Sequence, residues 1–191
     1  GENFNLLKAP KVVLLSGRGV GSTEFGAAWF YMEETIGYPV SVIEVNNFNR
    51  LNLFNYNTLI LADGYYEFSE DQQKKINEWI KNGGKVIAMN NALALFEAKE
   101  GYALSPFATE EEKLNSEKAA EQEELKERFL DFQDSERRAI SASIPGAIIE
   151  NLLNKTHPMS FGLGDKYFSL KTDDRHYSLL KKTINVAYVS K

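Results

Sequence analysis

Residues 11–16 read KVVLLS and are followed by Gly17-Arg18-Gly19-Val20-Gly21. A continuous apolar run with no polar alternation is the pattern of a strand buried on both faces, as in a parallel sheet. The glycines predict a loop, and residues 24–36 then predict a helix with Phe25, Ala28, Trp29, Met32 and Ile36 on one stripe and Gly37 beyond its end. Residues 40–45 form the second strand. Residues 46–57, rich in Asn, form a loop with one helical turn around 51–54. Residues 58–62 (TLILA) repeat the buried-strand pattern and end at Asp63-Gly64. Ser69-Glu70-Asp71-Gln72 is a capping box opening a helix with Ile76, Trp79 and Ile80 on its apolar face. Residues 85–89 (KVIAM) give a fourth strand, with a short helix at about 91–98. Strands alternating with helices at this spacing predict a parallel, doubly wound α/β sheet.

The second half follows another pattern. Residues 109–138 hold eleven acidic and six basic side chains, and the rest of the chain is balanced at sixteen of each. This stretch predicts a charged helix or helical pair, an insertion at about 105–140 whose solvated face carries pairs such as Glu124 with Arg128. Strands are expected at 147–150, 167–170 and 184–189. The whole, 1–191, reads as one α/β domain with a helical insertion. Gly1 in place of an initiating Met reads as the remnant of a cleaved tag, and the chain as a piece of a longer protein.

Composition narrows the chemistry. There is no cysteine in the 191 residues, so disulfides, thiolate metal sites and cysteine nucleophiles are excluded. The two histidines, His157 and His176, stand in neither His-x-x-Glu nor an i, i+4 pair, so no metal site is expected, even with Asp165, Asp173 and Asp174 near them. His157, before Pro158, reads as a turn residue bonding backbone. The net charge of −5 and the absence of a basic face argue against nucleic-acid binding, and no run of eighteen apolar residues offers a membrane span.

Two candidate sites remain. The loop 17–23 lies between a strand and a helix, where Gly17, Gly19, Gly21 and Ser22 would present backbone N–H groups to a phosphate. Glu44 ends the second strand near the place of a ribose-binding acid. Serine stands where a dinucleotide motif needs its third glycine, and no Gly-Lys-Ser/Thr follows, so a plain strand-to-helix turn capped by Ser22 or Thr23 explains the loop as well. Tyr65 and Tyr66 fall at the sheet's carboxyl edge, where open α/β folds bind ligands; they would stack on a ligand there or pack beneath the charged helix. At the turn after the fourth strand, where a nucleophile elbow would expose serine or cysteine, stand Asn90 and Asn91. An amide is neither a nucleophile nor a base.

Residues 11–17, Phe25-Gly-Ala-Ala-Trp29 and Tyr38-Pro-Val40 resemble the start of a class I glutamine amidotransferase-like domain. More narrowly, they resemble the one found C-terminal in bacterial zinc carboxypeptidases of the carboxypeptidase A type. Ser143-Ile-Pro-Gly-Ala-Ile148 and Thr156-His-Pro-Met-Ser-Phe-Gly162 fit the same group. The resemblance covers most of 10–175. It implies a three-layer, flavodoxin-like α/β fold with a largely parallel sheet, a degenerate elbow at Asn90 or Asn91 in place of the amidotransferase cysteine, and a His-Pro turn at His157 with no thiol to activate. It further implies a non-catalytic accessory domain, secreted or in the cell envelope. Its partner would be the catalytic domain of the same polypeptide, which would hold the zinc, together with that enzyme's peptide substrate; this chain would carry no cofactor. The alternatives are a small-molecule or nucleotide-binding module built on 17–23, and a hydrolase with an unrecognised site.

Overall fold

The computed structural model describes residues 9–106, 146–171, 175–180 and 185–189. The charged stretch 109–138, most of the expected insertion, and Asp173 and Asp174 lie outside the described residues. The chain divides into two compact units, residues 1–95 and 96–191.

In the first unit β1 (Val12–Ser16), β2 (Ser41–Glu44), β3 (Thr58–Leu61) and β4 (Lys85–Ala88) form one parallel sheet in the order β2-β1-β3-β4. Leu14 sits opposite both Val42 and Ile60, and Leu59 opposite Val86. The continuous apolar runs are the two central strands. Val13, Leu14, Leu15, Leu59 and Leu61 are fully buried, which explains why their sequences do not alternate. At the edges one face opens to solvent, and Val42 and Ile87 are more than two-fifths exposed.

The crossover β1-to-β2 runs one way along the sheet and β3-to-β4 runs the other. Right-handed crossovers therefore set their helices on opposite faces. Helix α1 (Ser22–Phe30) packs Phe25, Ala28 and Trp29 on Val12, Leu14, Ile60 and Ala62. The predicted helix continues, but as a π-helical turn, Tyr31–Thr35, closed by Ile36 N–H to Tyr31 O at 3.1 Å. Wider i→i+5 bonding turns less per residue, so Met32 stays against the core while Ile36, expected on the buried stripe, is 51% exposed. Helix α2 (Glu70–Lys81) has the full capping box: Ser69 Oγ accepts from Gln72 N–H, and the Gln72 side chain accepts from Ser69 N–H. It buries Ile76 and Trp79, and the Trp79 indole N–H donates to Tyr56 O.

The Asn-rich loop holds two 3₁₀ turns, Val45–Arg50 and Leu53–Asn55, where one helical turn is expected. Phe48, Leu51 and Leu53 drive them inward, and the Lys75 ammonium donates to Phe48 O and Asn49 O at the end of the first.

The second unit carries an antiparallel sheet, β6-β5-β7, from β5 (Ala147–Leu153), β6 (Lys166–Lys171) and β7 (Ala187–Val189). Its expected strands exist, and β5 and β6 are longer than their sequence patterns suggest. In the same unit Arg175 and Tyr177 both donate to the Glu97 carboxylate.

Candidate functional site

The two crossovers diverge between β1 and β3, so the carboxyl ends of these strands form the topological switch point, the usual ligand crevice of an open α/β sheet. The loop 17–21 follows β1 there, and residues 63–65 follow β3. In this chain the two segments bond to each other. Gly21 N–H donates to Asp63 O at 2.9 Å, Tyr65 N–H donates to Gly19 O at 2.7 Å, and Val20 and Gly64 form an antiparallel bridge. Val20 N–H is also used, donating to Gly17 O at 3.1 Å. A crevice that would admit a phosphate is thus zipped by main chain.

The glycines follow from this closure. Gly17 and Gly19 have φ of +92° and +83°, which favour glycine. A Cβ on Gly19 would overlap Tyr65 O, and one on Gly64 would overlap Gly19 O. Gly17 passes beside Glu44, whose Cβ and Cγ lie 3.6 Å from where its Cβ would be. The α1 N-cap is Gly21, not Ser22 or Thr23 as expected, and its carbonyl accepts from Phe25 N–H at 2.9 Å. The bridge to Asp63 fixes Gly21 in an extended conformation, so the helix begins at Ser22, two residues before the expected start at Glu24.

The elbow after β4 resolves to one residue. Met89 N–H still donates to Leu61 O in the ladder, and Asn90 then turns to φ +46°, the left-handed region that Asn tolerates better than most residues. A 3₁₀ turn, Asn90–Leu95, starts at once. Asp63 holds this corner. Its carboxylate accepts Asn91 N–H at 3.0 Å through Oδ1 and the Asn90 side-chain amide at 3.3 Å through Oδ2. The same residue's carbonyl closes the crevice, so Asp63 joins the β1 loop, the end of β3 and the β4 elbow. Asp63 belongs to no motif; its one signal in the sequence is an acid ending a buried strand immediately before glycine.

Gly17, Gly19, Gly21, Ser22, Tyr65, Asn90 and Asn91 therefore share the carboxyl edge of one sheet. Tyr65 is 70% exposed there. Tyr66, read as a candidate stacking aromatic, is instead a core residue. Its ring is buried against Phe68, its hydroxyl donates to Ala62 O at 2.9 Å, and burial, helped by the Asp63 charge, raises its pKa well above the usual tyrosine value. His157 belongs to the second unit, where its Nδ1 accepts Met159 N–H at 3.1 Å and caps the 3₁₀ turn Pro158–Ser160. Among the described residues no three His, Asp or Glu side chains group in a way that would hold a metal ion, and no helix is long and apolar enough to cross a membrane.

No family model matches the chain, and no curated protein matches it in sequence. Its fold is similar to the crystal structure of a Thermoplasma acidophilum protein described as a candidate GMP synthase component, with a TM-score of 0.54 and 9% identity over 96% of this chain and 75% of that one. At that identity the likeness concerns the fold alone, an α/β architecture with a four-stranded parallel sheet.

Proposed function

We propose that this chain is a non-catalytic accessory domain, using an amidotransferase-like fold as a scaffold. The observation that carries the reading is the elbow. Asn90 has the left-handed geometry of a nucleophile position, yet it offers an amide tied to Asp63, and the chain has no cysteine to place there. The zipped crevice supports the same reading, because the backbone N–H groups of Val20 and Gly21 are spent inside the protein. For that reason the alternative, a phosphate- or nucleotide-binding module on residues 17–23, has less support. The narrower assignment, to a secreted or envelope zinc carboxypeptidase of the carboxypeptidase A type, rests on the sequence resemblance. In it the zinc belongs to the catalytic domain of the same polypeptide, and this domain docks on that domain or positions its peptide substrate.

Thermal melts of the chain with nucleotides, flavin, phosphate, glutamine and zinc test the binding alternative. A ligand at one hundred times its Kd stabilises by about 2.7 kcal/mol, a rise of roughly 5–11 °C for a chain this long. Flat melts are expected. Titration calorimetry against the catalytic domain encoded upstream should then show saturable binding. A nucleotide- or flavin-dependent rise, or an upstream reading frame without His-x-x-Glu and a later His, overturns the peptidase assignment.

A further inference from the structure

Asn82 precedes Gly83 and forms the one Asn-Gly pair in the chain. A following glycine has no Cβ to hinder approach of its nitrogen to the asparagine side chain. In the reaction this permits, the Gly83 nitrogen bonds to Asn82 Cγ, the Cγ–Nδ2 bond breaks, and ammonia leaves with the peptide proton. Water then opens the five-membered imide at either carbonyl, leaving aspartate or its β-linked isomer. Water is the one co-reactant.

The fold holds both reacting groups away from this path. Asn82 is exposed at the end of α2, but its Nδ2 donates to Glu78 O at 2.8 Å. Gly83 N–H, the nucleophile, donates to Ile80 O at 2.9 Å. Gly83 at φ +95° and Gly84 lock the turn: Gly84 N–H donates to Trp79 O at 3.0 Å, and Gly84 lies so close to the buried indole that a Cβ would overlap it. Attack therefore requires the last turn of α2 to open.

We infer that Asn82 is a site of spontaneous deamidation, gated by opening of the α2 C-terminal turn, and that its product weakens that turn. Conversion replaces the Nδ2 donor with an oxygen facing Glu78 O. It also adds negative charge at a helix C-terminus, where the dipole is already negative.

Peptide-mapping mass spectrometry of the intact chain, incubated at mildly alkaline pH with and without denaturing urea, tests this. Asn82 should convert before any other asparagine, and more slowly in native buffer than in urea. Each tenfold difference corresponds to about 1.4 kcal/mol of local stability. Asn82→Asp should unfold at lower urea than the parent chain. Equal rates in the two conditions, another asparagine converting first in native buffer, or an unchanged Asn82→Asp midpoint would overturn the inference.

Discussion

Replacing Asp63 with alanine removes the carboxylate that joins the elbow to the rest of the sheet edge. Two interactions go: Asn91 N–H to Oδ1 at 3.0 Å and the Asn90 amide to Oδ2 at 3.3 Å. A hydrogen bond to a charged group contributes about 1.5–3 kcal/mol and a longer, weaker one about 0.5–1 kcal/mol. Asn91 is half-buried, so water recovers part of its lost bond. The expected net cost is about 2 kcal/mol. Urea unfolding followed by tryptophan fluorescence is the direct assay, because both tryptophans, Trp29 and Trp79, lie in the first unit and report on this sheet. With a slope of about 1–3 kcal/mol per molar urea, the midpoint should fall by roughly 1 M. Asn90→Ala removes the shared bond and the short polar side chain that lets Asn tolerate φ +46°, an added cost of under about 1 kcal/mol. The double variant should then lose less than the two single losses added, by about 0.5–1 kcal/mol. A midpoint unchanged in Asp63→Ala, or strict additivity, would refute the assignment of Asp63 as the tie between these loops.

Gly64→Ala should be among the most destabilising single-methyl additions in the chain, about 1–3 kcal/mol in the same assay, because its Cβ meets the Gly19 carbonyl in the zipped crevice and not a side chain that can move. Raised pH should weaken the fold through Tyr66: its pKa is higher folded than unfolded, so its contribution is complete below about pH 10, the unfolded value, and is lost as pH rises above it. Tyr66→Phe should lower the unfolding free energy near neutral pH by about 1 kcal/mol, for the lost bond to Ala62 O, and flatten the decline above pH 10; identical pH profiles would contradict the burial argument.

The parallel sheet is legible in the sequence because burial on both faces demands uninterrupted apolar residues, and 12–15 and 59–62 have them. The start of α2 is legible for a local reason too: Ser69 and Gln72 satisfy each other's backbone donors within one turn. The π-helical turn after Phe30 is not, since its apolar spacing suits an ordinary helix, and the start of α1 differs from its sequence signal because Gly21 answers to a distant partner. The turn role of His157 can be read from Pro158 alone, whereas the inward direction of Tyr66 depends on the ring it meets.

The residue types at the candidate site can be read from the sequence: the chain has no cysteine and two histidines, and Asn90 and Asn91 stand at the turn after β4. The order of strands and helices in the first unit is equally local, because periodicity and caps are properties of neighbouring residues. What the glycines are for is settled only in three dimensions. Gly19 and Gly21 are consistent in sequence with a cradle for a phosphate. Bonds between residues more than forty positions apart make them the close-packed seam of the sheet's carboxyl edge, with Asp63 at its centre.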